Sequence, residues 1–390
     1  MRTVYLDHSA TTRVHPQVLD AMLPYLQDEY GNPSSIHRLG RNARVAVDQA
    51  RETVAKLLNA EFKEIIFNSG GTEGDNLAIK GVARARRENG NHVITSQIEH
   101  EAVLNTCKSL EKDGYRVTYL PVDQYGIVDL DALSEAITDE TILISIMHAN
   151  NEVGTLEPIA EIGALARQRG IFFHTDAVQT VGKLPVDVKA LNVDLLSMSS
   201  HKFYGPKGVG ALYIRKGITV HPLAHGGHHE NWMRAGTENV PGIVGLAKAL
   251  DICHGEMEIV SKREGQLRDV LQKGIQGIID GIRINGHPTQ RLPGSLSLCF
   301  EALEGEALIL SLDLKGVAAS TGSACSSGSL EPSHVLTAMG VPIEIAHGSA
   351  RLTLGRDTTR EDIDYVLEVL PDIVSRLRSM SPLRPSREAR

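Results

Sequence analysis

The sequence predicts an α/β protein in two parts: a larger domain built on a mostly parallel sheet flanked by helices, and a smaller α+β domain at the C-terminal end. Three observations carry this reading. Between roughly 60 and 250, short apolar runs alternate with stretches of helical periodicity. Those runs are apolar nearly throughout rather than strictly alternating, as suits strands covered on both faces by helices. At 390 residues the chain exceeds what one hydrophobic core usually organises, about 150 residues per domain being a soft prior.

The elements follow in order. Pro16 stands where a first helical turn tolerates proline, and Val18, Leu19, Met22, Leu23 and Leu26 follow at helical spacing. A second helix is predicted from Asn42 to Leu58, with Ala43, Ala46, Ala50, Val54, Leu57 and Leu58 on one stripe. The strand candidates are then Ile65 to Phe67, Val93-Ile94, Val117 to Leu120, Ile142 to Met147, Ile171 to Phe173, Leu195-Leu196 and Ala211 to Ile214. Beyond Asp251 a long polar helix runs through Asp269, followed by strand candidates at Arg283-Ile284, Ser295 to Phe300, Val317 to Ala319 and Arg351 to Leu354. Thr358 with Glu361 reads as a capping box for a final helix through Ile363, Val366, Leu367 and Leu370, which Pro371 should kink or break. The tail Ser381 to Arg390 lacks apolar periodicity and reads as frayed.

Composition narrows the function classes. Forty basic and 48 acidic residues give a formal net charge of −8 without a large block of one sign, against a direct nucleic-acid-binding role. The most apolar stretch, Ile142 to Met147, is far short of the about 20 residues of a membrane span, so no membrane association is expected. Met1 to Asp7 opens with a charge and a strand-like segment rather than a long apolar run, which reads as a cytoplasmic protein. The four cysteines, Cys107, Cys253, Cys299 and Cys325, lie far apart with no C-x-x-C pair, so free thiols are the expectation.

The chemistry concentrates at strand ends. Val193 to Gly208 reads as a buried strand running into Ser199-Ser200-His201-Lys202 and then a Gly/Pro loop, and ligands bind at the carboxyl ends of parallel strands. Lys202 is placed either to act as a Schiff-base nucleophile or, with Lys207, merely to solvate a loop. Asp176, after Ile171 to Phe173, serves either as a helix cap or as partner to the cationic pyridine nitrogen that pyridoxal phosphate requires. Ser69-Gly70-Gly71-Thr72-Glu73 offers backbone N–H groups, a hydroxyl and a helix N-terminus to a phosphate, although many strand–helix turns share the pattern. His100, taken singly, reads more readily as structural than as catalytic. The histidines of His225-Gly226-Gly227-His228-His229 have no carboxylate or thiol partner at ligand spacing, and no metal is expected. Every residue from Ala318 to Ser329 except Cys325 is small or polar, so this thiol reads as a nucleophile on a mobile loop. Cys107, Cys253 and Cys299 instead have the apolar or helical neighbours of inert core thiols.

Taken jointly, Ser199-Ser200-His201-Lys202, Arg234-Ala235-Gly236-Thr237-Glu238-Asn239 and Gly322-Ser323-Ala324-Cys325-Ser326-Ser327 resemble the cysteine desulfurases. These are the NifS- and IscS-like branch of the class V aminotransferase group, and the resemblance extends from Tyr5 to Arg351. It implies the seven-stranded, mostly parallel sheet of fold-type I pyridoxal 5'-phosphate enzymes. It also implies an N-terminal segment 1–15 packing with the small domain, a cofactor-binding large domain 16–255, and a small domain 256–390 carrying the Cys325 loop. Lys202 would carry the cofactor, Asp176 would pair with its ring nitrogen, Gln179 would bond its ring hydroxyl and His100 would stack on the ring and assist proton transfer. Thr72, Ser199 and His201 would hold the phosphate, joined by Thr237 from the other subunit of a homodimer. Asn151 and Arg351 would bind substrate, and Cys325 would take sulfur from L-cysteine as a persulfide, leaving L-alanine. The sulfur would pass to an acceptor protein such as an iron–sulfur scaffold. A selenocysteine lyase or a small amino-acid aminotransferase of the same group is the nearest alternative, and a catalytically silent interaction module a more distant one.

Overall fold

The computed structural model describes residues 2–322 and 332–382. Its strands are β1 (Val4–Tyr5), β2 (Ile65–Asn68), β3 (His92–Ser96), β4 (Arg116–Leu120), β5 (Thr141–Ser145), β6 (Phe172–Asp176), β7 (Leu195–Ser199), β8 (Gly210–Ile214), β9 (Ile282–Asn285), β10 (Ser295–Phe300), β11 (Val317–Ala318) and β12 (Ser349–Thr353). The helices are α1 (Pro16–Gln27), α2 (Arg38–Leu57), α3 (Gly71–Ala85), α4 (Glu101–Lys112), α5 (Leu130–Ala136), α6 (Ile159–Gln168), α7 (Val240–Ile278), α8 (Gly305–Asp313), α9 (His334–Ala338), α10 (Ile343–Ala346) and α11 (Arg360–Met380).

Each of the seven apolar runs read between 60 and 250 becomes a strand of one seven-stranded sheet, in the order β2-β8-β7-β6-β5-β3-β4. Within it β8 runs antiparallel to both neighbours, and the remaining neighbouring pairs are parallel. One apolar cluster joins α2, α6 and the first part of α7 to one face, and a second joins α3 and α4 to the other. The strands therefore bury both faces, which is why their sequences lack alternation.

A three-stranded antiparallel sheet, β12-β10-β9, forms the second layer, and β1 pairs in parallel with β11 beside it. Val4 and Leu6 are buried in the same apolar cluster as Leu296, Leu298, Ile363 and Val366. The expected boundary at 255/256 falls inside α7, a single helix of 39 residues. Its early residues, from Val240 to Cys253, belong to the large cluster, whereas Leu271 and Ile275 belong to the small one.

Three local expectations need correction. The cap of α11 is Thr359, whose hydroxyl accepts from the Asp362 amide while Asp362 bonds back to the Thr359 amide. Thr358 is one residue early because its hydroxyl accepts instead from the Gly355 amide. Pro371 does not break α11, because Ile363, Val366 and Leu370 before it and Ile373 and Val374 after it are anchored in one core. The stripe of α1 is also less buried than its spacing suggests: Val18 is inside, but Leu19 and Leu26 are exposed in the single chain.

A buried ion pair fixes the segment that leads into the Arg234–Asn239 motif. Arg51 of α2 grips both carboxylate oxygens of Glu230 at 2.7 Å, and Glu230 also accepts from the Phe67 amide at 2.9 Å. Glu230, Asn231 and Trp232 all hold positive φ, a costly conformation for residues with a Cβ. Arg51→Met, which strands the Glu230 charge, is expected to destabilise the protein by about 3–5 kcal/mol, read from the urea midpoint and slope. A loss below about 1 kcal/mol would mean that the pair does not hold the segment.

Candidate functional site

The parallel strands end in short turns that project polar side chains beyond the sheet's carboxyl edge. There they line a cavity of about 280 Å³. His100 enters after β3, Asn151 after β5, Asp176 and Gln179 at the end of β6, and Ser199, His201 and Lys202 at the end of β7. Thr72 opens α3 on the same wall, Ser9 and Ala10 cover it from the N-terminal segment, and Arg351 reaches in from β12.

Lys202 Nζ donates to the carbonyls of Ser9 at 2.5 Å and Ala10 at 2.8 Å, which fixes where its amine enters. Asp176 Oδ1 accepts from the Val178 amide at 2.9 Å, so the turn after β6 aims the carboxylate. His100 accepts the Ala102 amide at Nδ1, at 3.1 Å, and therefore in its neutral form carries its proton on Nε2. Asn150, just before Asn151, folds the turn: its Oδ1 accepts from the Glu152 and Val153 amides and its Nδ2 donates to Ile98. Arg351 donates to the Asn151 carbonyl at 3.0 Å and to Asp7 at 2.9 Å, so a small-domain strand, the N-terminal segment and the large domain meet at one guanidinium.

The charges are unequal. Burial raises the Asp176 carboxyl, but His100, the Val178 amide and Lys202 pull it back toward ionisation. Asp75, one turn along α3 from Thr72, is raised much further by burial and by the facing Asp176, and Glu99 by burial. Burial thus favours the neutral form of Asp75 and Glu99, whereas Asp176 is the acid with cationic company. His201 is pushed down to about 4 by burial and by Lys202, Lys207 and Lys183, so it faces the cavity as a neutral ring.

The cavity offers each group that a pyridoxal phosphate needs. On the same cavity, α3 begins without a side-chain cap, leaving its first amides for another acceptor. Gly70 has a φ of +145°, and a Cβ on Gly71 would lie 2.7 Å from Val178 Cγ2, so only this glycine pair opens the backbone there. With the hydroxyls of Thr72 and Ser199 beside it, that end is a cradle for a dianion. An acid for a ring nitrogen, an amine for a carbonyl and a donor-rich end for a phosphate share one cavity, and the residues fit the group.

Of the residues read from the sequence, Thr72, His100, Asn151, Asp176, Gln179, Ser199, His201, Lys202 and Arg351 line this cavity. Thr237 does not: it is exposed in the loop before α7. Cys325 lies outside the described residues, as does most of the tail, 383–390. The described residues on either side of 323–331 approach the cavity wall. Ser333 donates to Glu152 at 2.5 Å, and a Cβ on Gly322 would lie 3.1 Å from Glu152 Oε2. The sequence reading missed Asp75 and the Ser9 and Ala10 carbonyls; the one available signal was an acid set among the apolar positions of α3.

The class-V aminotransferase family model matches residues 4–366. The chain is 59% identical over 384 residues to the cysteine desulfurase IscS of Methanosarcina thermophila, covering 98% of this chain and 95% of that protein. It is 56% identical over 383 residues to the cysteine desulfurase IscS of Dictyoglomus turgidum, covering 98% and 97%. A solved NifS-like protein superposes with a TM-score of 0.91 at 41% identity, covering 96% of this chain and all of that one. With the sheet, the cavity and these likenesses in agreement, the chain belongs to the NifS- and IscS-like branch of the class-V aminotransferase family.

Proposed function

We infer that the protein is a pyridoxal-phosphate-dependent cysteine desulfurase, converting L-cysteine to L-alanine and passing the sulfur to an acceptor. The observation that carries this is the meeting of Lys202 and Asp176 in one cavity whose far end is built for a phosphate. When bound, pyridoxal phosphate supplies an electron-withdrawing ring that stabilises negative charge at the substrate's α-carbon. Asp176 holds the ring nitrogen's positive charge, Gln179 bonds the ring hydroxyl, His100 covers the ring, and Thr72, Ser199 and His201 bind the phosphate. Arg351 takes the substrate carboxylate in its bidentate fork, with Asn151 beside it. Lys202 Nζ carries the α-proton. Cys325, as thiolate, attacks the substrate sulfur; the carbon–sulfur bond breaks, the sulfur stays on Cys325 as a persulfide, and the carbon takes up a proton to become alanine.

We further propose a homodimer in which Thr237 of one subunit completes the phosphate site of the other, and an iron–sulfur scaffold protein as acceptor. The exposure of Thr237 on a loop pinned by Arg44–Glu238, at 2.6 Å, supports the first. Three free, buried thiols, at Cys107, Cys253 and Cys299, support a reducing, cytosolic location. No helix among the described residues is long and apolar enough to cross a membrane.

The test is product release from L-cysteine by the purified holoenzyme with a thiol reductant. Equimolar alanine and sulfide are expected. Transfer of the amino group to a keto acid without sulfide would replace this reading with an aminotransferase. Within it, Asp176→Asn keeps the shape of the side chain but not its charge. It is expected to lower the rate of alanine formation about 10²–10³-fold with cofactor still bound; a loss under tenfold would remove Asp176 from the ring nitrogen.

A further inference from the structure

Lys183 lies behind the cavity, in the turn that follows Gln179, and its ammonium points back at the site. Lys183 Nζ donates to Gln179 Oε1 at 3.0 Å, while Gln179 Nε2 donates to the Ser9 carbonyl at 3.0 Å. An ammonium only donates and a carbonyl only accepts, so the Gln179 amide is fixed from both ends. Its oxygen faces Lys183 and its NH₂ faces the N-terminal segment and the cavity, with one N–H beyond the bond to Ser9. The Ser9 carbonyl also receives Lys202 Nζ at 2.5 Å, so the chain of contacts runs from Lys183 to the reactive amine.

The lysine is itself held. Ser261 of α7 donates to the Lys183 carbonyl at 2.9 Å, and Glu264, one turn further along, faces the ammonium across a cavity of about 30 Å³. His8, Tyr204, Cys253, Glu256 and Arg356 line the same space, and Arg351 and His201 also feel the charge of Lys183. Burial lowers Lys183 to about 8 and raises Glu264 to about 7, and each charge opposes the effect of burial on the other.

We propose that Lys183 is a positioning residue that locks Gln179 with its NH₂ toward the cavity, so that the cofactor's ring oxygen always meets a donor. This rests on the cofactor reading above. A donor at the ring oxygen draws off negative charge that would otherwise hold the proton on the nitrogen linking Lys202 to the cofactor. Without Lys183 only the Ser9 carbonyl orients the amide, the flipped form becomes more populated, the oxygen keeps more charge, and that proton is held more tightly.

The experiment is a pH titration of the holoenzyme's visible absorption band in wild type, Lys183→Met, Lys183→Gln, Lys183→Arg and Glu264→Gln. Lys183→Met is expected to raise the band's midpoint by about one pH unit, the scale of one lost hydrogen bond and a nearby charge. Lys183→Gln, which donates or accepts and so permits both amide orientations, should raise it by less. Lys183→Arg should restore it, and Glu264→Gln, which leaves the donor in place, should leave it unchanged or lower it. A wild-type band whose midpoint is the same in Lys183→Met and Lys183→Gln would overturn the proposal alone. A wild type that gains no visible band with added pyridoxal phosphate would overturn the cofactor reading and this inference with it.

Discussion

Lys202→Ala should yield a folded protein that still takes up pyridoxal phosphate into its cradle but shows no visible band and forms no detectable alanine from L-cysteine. The expected fall in rate exceeds about 10⁴-fold, because the proposed mechanism gives one side chain two tasks, covalent attachment and proton transfer, each of which alone contributes on the order of 10²–10⁴. Among the described residues, the structure offers no substitute nearby. Lys202 leaves β7 in a single 3₁₀ turn, Ser200–Lys202, and its Nζ is delivered by two backbone carbonyls of the N-terminal segment. Lys183, the other amine behind this wall, is tied to Gln179 and Glu264. Lys202→Arg should not rescue, since a guanidinium stays protonated and is not a nucleophile. The measurements are the absorption spectrum and the alanine formed per active site. Retention of the band or of more than about 1% of the rate would remove Lys202 from both tasks.

What the sequence made legible divides along physical lines. Runs such as Ile65 to Phe67 and Leu195-Leu196 marked strands because burial on both faces demands apolar residues at every position. The same burial hid the reversed direction of β8, since Ala211 to Ile214 would be equally apolar either way. Asp176, Ser199 and Lys202 stood out because polar groups at the end of an apolar run have no packing reason to be there. Asp75 and Lys183 did not, because their significance lies in neighbours distant in sequence: Asp176 is 101 positions from Asp75, and Glu264 is 81 from Lys183. Pro371 misled because local propensity was outweighed by apolar anchors on both sides of it. The division near 255 corresponds to no break in the backbone, because a helix as long as α7 belongs to two cores at once.

Cys325→Ala should abolish sulfide release while leaving the spectrum and the binding of L-cysteine unchanged, because none of the thiols that remain can replace it. Cys107 and Cys253 are pushed up to about 12 and Cys299 to about 11, in each case chiefly by burial. Cys253 is further engaged with the Phe203 carbonyl at 3.4 Å, and Cys299 accepts from Asn285 at 3.2 Å. At pH 8 no more than about one in 10³ of any of these is thiolate, and the thiolate is the form that attacks sulfur. None of the three lines the cavity, so none has access to substrate even when ionised. Iodoacetamide on the native protein should accordingly add one carbamidomethyl group, and none to Cys325→Ala. Deuterium exchange at the α-carbon of L-cysteine separates this variant from Lys202→Ala: it depends on Lys202 Nζ and should persist without Cys325, but vanish without the lysine. Sulfide release by Cys325→Ala at the wild-type rate would mean that sulfur leaves without a protein carrier, and the acceptor would then have to take it from substrate directly.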